Sequence, residues 1–442
     1  MKTKSFGFCE IYGAMWKCLY QFSWIIALSI STHCLANFAY VTGDGAGDVY
    51  VIDTSFNTVV ATIPLGPSAS PTAADPVGIA VTPNGKFAYV ANAGTSSHLV
   101  FVIQTSSNTV VDTIVLGAGN AVGPMGVAIT PNGNFAYVAN KNSDTVSVID
   151  TATNTVITNF GTGSSNPFGV AITPNGNFAY VTNNGSNIVS VIDTSLNTVV
   201  ATIAVGGSPN GIAITPNGSF AYVANNFSNT VSVIDTSTNM VVGAPIPVSA
   251  APLGVAITPN GEFVYVTDDT SPGQVSVIST ASNTVVDTIT VGRNPFGIAI
   301  TPDGNFVYVA NGISNTVSVI DTSSNMVIDT IPGLAGATWI AITPGLPAPL
   351  APQNLTGKQK KNDFGILYEL FNQLKWQIEP NPSGPAAIGY FVYRNGVQIA
   401  TLSETTTEFE DHDVKKGMSN TYAIVGFDIN GNLGPEATIT IK

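Results

Sequence analysis

The chain has 442 residues, 44% of them hydrophobic and only 9% charged, with 43 Gly and 27 Pro, a balance that suits a turn-rich globular β protein and excludes intrinsic disorder. Residues 37 to 347 hold 16 Asp and Glu against Lys86, Lys141 and Arg293, and residues 348 to 442 hold 10 acids against 8 bases. So acidic a chain cannot neutralise a phosphate backbone, which excludes nucleic acid as a partner.

Residues 1 to 36 stand apart. Lys2, Lys4 and Lys17 precede the apolar run FSWIIALSI, and the small-residue sequence Cys34-Leu35-Ala36 follows, the order of a secretory signal cleaved after Ala36. The apolar run is shorter than the roughly 20 residues of a spanning helix. A chain starting at Asn37, with no membrane span and a secreted, periplasmic or cell-surface location, is therefore expected; an uncleaved anchor is the alternative. Cys9, Cys18 and Cys34 are the 3 cysteines, so beyond Ala36 no disulfide, thiol nucleophile or cysteine metal site exists.

From Asn37 one phrase recurs. TPNGKFAYVAN begins at Thr82, and near copies begin at Thr130, Thr173, Thr215, Thr258 and Thr301; a shortened NFAYVTG begins at Asn37. The anchoring Phe38, Phe87, Phe135, Phe178, Phe220, Phe263 and Phe306 lie 49, 48, 43, 42, 43 and 43 residues apart, the mark of a repeat architecture. Within residues 169 to 204 four β-rich runs (169–173, 178–182, 188–193 and 198–203) are separated by PNG, NNGSN and TSLN turns, whose Asn and Gly accept positive φ. Each repeat reads as a four-stranded antiparallel meander. Such a unit cannot bury both faces alone, so seven of them stacking as the blades of a β-propeller is the predicted fold, all-β throughout.

The two ends of this region complement each other. The inner-strand sequence G[IV]A[IV]T starts at Gly78, Gly126, Gly169, Gly211, Gly254 and Gly297, and a seventh version, WIAIT, starts at Trp339 with no FAYV behind it, while the first FAYV has no GIAIT before it. The C-terminal strand is thus expected to complete the first blade and remove the open sheet edges. Blades converge on the axis, so the slim GIAIT strand is placed innermost, then FAYV, VSVIDT and NTVVATI. These tandem FAYVAN and FAYVTN phrases resemble the YVTN family of β-propeller repeat proteins over residues 37 to about 347. The resemblance implies a secreted or surface-exposed seven-bladed propeller and no single function.

The Pro-rich stretch PGLPAPLAPQ, residues 344 to 353, ends the periodicity, with the linker set at 348 to 353. Residues 354 to 442 read as a small immunoglobulin-like β-sandwich with turns at Asn395-Gly396 and Asn430-Gly431. They resemble a fibronectin type III domain, which implies Trp376 as core tryptophan, Tyr390 and Val392 as inward residues of a central strand, and Tyr422, Asp428 and Gly431 as the late tyrosine strand and its turn. The segment GKQKKNDFGILYELFNQ departs from that pattern.

Candidate chemistry is sparse. Asp53, Asp150, Asp193, Asp235 and Asp321 of the VIDT phrase are read as acceptors within the following TSxNT turns rather than as a carboxylate ring, because Gln104 and Ser279 replace two of them. Only His98 and His412 follow residue 36, which excludes a histidine-clustered metal centre or a Ser-His-Asp triad. Asp44, Asp48, Asp268 and Asp269 are the weak candidates for calcium, without the spacing of a dedicated loop; no other cofactor is expected, and no catalytic residue is named. The variable loop face is the expected binding face, with Lys141, Phe168, Arg293, Phe296 and Trp339 the residues to engage a ligand. Mouth positions read as apolar or glycine. The expectation is a monomeric, non-catalytic scaffold binding a protein or glycan; the alternative is a lactonase-like propeller enzyme or small-ligand binder at the axial mouth, with Asp268, Asp269 and Arg293 near it.

Overall fold

The computed structural model describes residues 37–66, 75–93, 98–117, 122–344, 351–363, 368–378, 387, 389–427 and 436–442. The expected signal segment, half of the linker, and Asp428 and Gly431 lie outside them. The chain forms two compact units, one of them Asn37–Pro347 and the other containing Ala348–Lys442.

The first unit is a seven-bladed β-propeller. The blade of residues 167 to 204 shows its construction. Strands Pro167–Ile172, Phe178–Asn183, Ile188–Asp193 and Thr198–Ala204 lie side by side in chain order, all antiparallel. In the second strand only Phe178 reaches solvent, and the five residues after it are buried. Alternation fails there because both faces of the blade are covered by neighbouring blades, and period-2 patterning marks only sheets with one wet face. The outer strand, with one neighbour and a rim position, does alternate.

Inner strands meet backbone to backbone around the axis. A Cβ on Gly169 would sit 2.5 Å from the carbonyl oxygen of Asn210 in the next blade, and one on Gly254 would sit 2.4 Å from that of Phe296. No side chain fits such an approach, which is why the GIAIT phrase opens on glycine.

A second repeated device joins the blades. The tyrosine of each FAYV or FVYV strand is buried, and its hydroxyl donates to the Oδ1 of the TSxNT asparagine in the following blade: Tyr137 to Asn197 at 2.6 Å, Tyr180 to Asn239 at 2.6 Å, Tyr265 to Asn325 at 2.7 Å. Those asparagines take positive φ, 53° at Asn197, a conformation asparagine tolerates better than other side-chain-bearing residues. Tyr308 of the seventh blade reaches Asn57 of the first in the same way, so the contact runs round the whole ring.

The first blade closes as the two ends of the repeat region require. Strand Ala337–Ile342 pairs antiparallel with Phe38–Gly43, with Ala39 opposite Ile342 and Val41 opposite Ile340. Thr343 reinforces the seam, its N–H donating to the Phe38 carbonyl at 2.8 Å and its Oγ1 accepting from the Phe38 N–H at 2.9 Å. One blade departs from the common pattern. Its outer strand is split into Met240–Val241 and Ile246–Pro247, because Gly243 turns at φ 71° and Pro245 has no N–H for the ladder.

The second unit holds two sheets. Gln353–Asp363, Tyr368–Gln377 and Glu408–Asp411 form one; Val397–Ser403, Gly389–Arg394, Asn420–Phe427 and Ala437–Ile441, in that spatial order, form the other. Trp376, Tyr390, Val392 and Tyr422 all lie in the core between them. The segment that departed from the expected pattern forms the long antiparallel pair Gln353–Asp363 with Tyr368–Gln377, its Leu374 and Trp376 turned inward.

Candidate functional site

The propeller's axial mouth is built by two connections in every blade. After each second strand, the next residue's N–H donates to a carbonyl just ahead of an inner strand: Asp44 to Gly336 at 2.9 Å, Ala93 to Asp75 at 2.8 Å, Lys141 to Gly123 at 2.9 Å, Asn184 to Asn166 at 2.9 Å. This backbone clip holds one side chain per blade at the rim. In a chain of near-identical blades those rim residues differ: Asp44, Ala93, Lys141, Asn184, Asn226, Asp269 and Gly312.

Phe168, Phe296 and Trp339 form the floor. Their ring centroids lie 6.4 Å (Phe168 to Phe296), 5.9 Å (Phe168 to Trp339) and 5.6 Å (Phe296 to Trp339) apart, a three-ring cluster at contact distance. Beneath it a space of about 70 Å³ is lined by Gly169, Gly211, Gly254 and Gly297. Above it opens a cavity of about 490 Å³ that shares the three aromatics and adds Asp44, Asp75, Lys141, Asn142, Asn184, Asn210 and Thr338. Trp339 donates its backbone N–H to Thr42 Oγ1 at 3.0 Å across the seam and packs against the hydrophobic clusters of the first three blades, so one residue serves both the closure and the floor.

Asp44 and Asp75, from the first and second blades, give the cavity its distinctive chemistry. The Asp75 peptide is fixed at both ends, its N–H donating to Asn92 Oδ1 at 2.5 Å and its carbonyl accepting from Ala93. Its Oδ1 is buried and receives no N–H or hydroxyl; the group facing the carboxyl is the carboxyl of Asp44. A hydrogen bond between the two needs a proton on one of them, and that bond, then burial, then the Asp44 charge push the Asp75 carboxyl up to about 7. Lys141 lines the same cavity with no ion-pair partner among the described residues. Asn184 Nδ2 donates to Asn210 Oδ1 at 2.6 Å, so this pair offers a ligand both an acceptor and donors.

The structure brings together Lys141, Phe168, Phe296 and Trp339, with Asp44 beside them. Arg293 is not among the cavity's lining residues; it is exposed, with its N–H donating to Ser314 Oγ at 2.8 Å. Asp48 opens the third strand of the first blade, its carboxyl raised by burial. Asp269 accepts from Asn294 Nδ2 at 3.0 Å. Asp268, a weak calcium candidate from the sequence, is the buried last residue of Phe263–Asp268, where five other blades carry Asn, and it accepts from Ser276 Oγ at 2.5 Å. Among the described residues no three His, Cys, Asp or Glu converge on a point that could hold a metal ion. The VIDT aspartates accept from their turns, Asp193 from the Ser195 hydroxyl and N–H at 2.6 and 2.8 Å, which holds that carboxyl below the ordinary range.

The mouth is polar as well as aromatic, not apolar or glycine throughout as its sequence positions suggest. Asp75, Asn142, Asn184, Asn210 and Thr338 are polar lining residues that sequence reasoning missed. For Asn184 the available signal was the residue straight after each second strand, which varies where the strand before it does not; Asp75, Asn142, Asn210 and Thr338 lie at other loop positions.

The family described as "Lactonase, 7-bladed beta-propeller" matches residues 30–163 and 151–244. No curated protein matches the chain. Among solved structures, a protein of unknown function from Desulfotomaculum acetoxidans is similar with 22% identity and a TM-score of 0.59 over 70% of this chain and 99% of its own. Kuenenia stuttgartiensis hydrazine synthase matches with 24% identity and a TM-score of 0.54, covering 62% of this chain and 91% of its own. A candidate 6-phosphogluconolactonase from Bacteroides uniformis matches with 15% identity and a TM-score of 0.58, covering 70% and 99%. At these identities the likenesses show the fold. The lactonase-family match overturns the expected non-catalytic scaffold and points to an enzyme-like propeller.

Proposed function

We propose that the propeller is a hydrolase of the lactonase kind, working at the axial mouth. The observation that carries this is the Asp44–Asp75 carboxyl pair opening into a cavity with an aromatic floor and Lys141 in the wall. A carboxyl pushed up to about 7 exchanges its proton at neutral pH, as a general base must. In the proposed step, ionised Asp75 takes a proton from a water molecule whose oxygen bonds to the lactone carbonyl carbon. The Lys141 ammonium faces the developing oxyanion. As the ring C–O bond breaks, Asp75 returns the proton to the leaving ring oxygen, giving an open-chain hydroxy acid with no other reactant consumed. Asp44 acts by raising Asp75, and Asn92 by holding its backbone. The C-terminal unit, whose sheets pair its first, second and fifth strands apart from the other four, is proposed as a fibronectin type III-like module, and the whole as an exported protein of YVTN type.

The test is pH-stat titration of five- and six-membered lactones with the full chain and with Asp75→Asn. Acid release above the spontaneous rate, reduced at least 100-fold by the substitution at unchanged melting midpoint, supports the reading. Equal rates in the two proteins overturn it.

A further inference from the structure

We infer that the mouth selects neutral, hydroxylated sugar lactones and rejects their phosphorylated counterparts. This deepens the hydrolase reading above and rests on it. Residues 37 to 347 contain only three basic side chains, Lys86, Lys141 and Arg293. Lys86 lies in a TPNG hairpin, Arg293 is exposed and not among the cavity's lining residues, and Lys141 is the one cation in the wall. A phosphate monoester carries nearly two negative charges at neutral pH and is typically met by paired or forked cations. Here it would meet one ammonium and the Asp44–Asp75 pair, in a region whose acids outnumber its bases 16 to 3, so like-charge repulsion opposes entry.

The rest of the wall suits hydroxyl groups. Asn142, Asn184, Asn210 and Thr338 are uncharged and can each both donate and accept. The floor of Phe168, Phe296 and Trp339 presents apolar ring faces, which pack against the C–H face of a flat sugar ring while its hydroxyl edge meets the carboxamides. The cavity of about 490 Å³ is in the range of sites for small molecules.

The experiment compares initial rates of D-glucono-1,5-lactone and its 6-phosphate ester at pH 7.5 with the full chain, each corrected for spontaneous opening. The expected kcat/KM is at least tenfold higher for the neutral lactone, and Ala93→Lys, which adds a cation at the rim, narrows that ratio. Equal use of both, or preference for the ester, overturns the selectivity and leaves the hydrolase reading standing. Turnover of neither by folded protein overturns both.

Discussion

Replacing Asp268 by Asn is expected to make the propeller more stable at pH 8 and to change it little at pH 4. Asp268 is fully buried, and burial raises its carboxyl to about 6 despite the Ser276 hydroxyl and two backbone N–H groups that favour the charge. Since the folded value lies above the unfolded one, the native state holds the proton more tightly. Stability is therefore complete below about pH 4 and is lost as pH rises to about 6, the opposite of a salt-bridged carboxylate. A folded carboxyl that titrates about two pH units above its unfolded value corresponds to roughly 3 kcal/mol at most, so the ionised form costs up to that amount above pH 6. Asparagine removes the charge, and the sister blades show that it fits: Asn140 Nδ2 donates to Ser147 Oγ at 2.7 Å and Asn225 Nδ2 to Ser232 Oγ at 2.9 Å. At roughly 2 cal/mol/K per residue over about 310 residues, the gain corresponds to a rise of about 4–5 °C in Tm. Calorimetry at pH 4 and pH 8 of wild type and D268N checks it; the same shift at both pH values, or a lower Tm at pH 8, refutes the reasoning.

Three further outcomes concern the ring. Deleting residues 339–343 removes most of the strand that pairs with Phe38–Gly43 and is expected to lower the melting midpoint of the propeller as a whole by exposing an unpaired edge; an unchanged midpoint would contradict the closure. Gly169→Ala places a Cβ 2.5 Å from the Asn210 carbonyl and is expected to cost about 1–3 kcal/mol in urea unfolding, whereas Gly163→Ala, with nothing within 4 Å but φ at 72°, costs only its backbone strain. Tyr137→Phe removes the 2.6 Å bond to Asn197 and is expected to cost about 1 kcal/mol, a loss that Asn197→Gly, which keeps the positive φ, should not add to when the two are combined.

The ring and its closure are legible in the sequence because each rests on a feature repeated six or seven times, and a repeated phrase reports one geometric demand met repeatedly. The tyrosine-to-asparagine contacts are written in the same phrases yet escape a local reading, since the partners lie about 60 residues apart (Tyr137 and Asn197) and no local pattern links them. The mouth is hidden for the converse reason. Asp44, Asp75, Lys141 and Asn184 come from four different blades, share no common phrase, and converge only because the loops of every blade open on the same axis. Asp268 reads as a loop residue because TDDTSPG has loop composition, whereas the strand pairing continues through it to Gln274.

In the proposed reaction the Asp44–Asp75 pair supplies the base at the mouth. The decisive measurement is the pH dependence of kcat/KM for a neutral lactone, after subtraction of spontaneous hydrolysis. Asp75 must be ionised to accept the proton from water, so the rate should rise with pH through a midpoint near 7. Asp44→Asn removes the neighbouring charge and offers the Asp75 carboxylate a donor, so it should move that midpoint down by at least one unit and leave activity at pH 5.5 higher than that of wild type. A midpoint that does not move, or a profile that falls as pH rises through 7, would rule out Asp75 as that base.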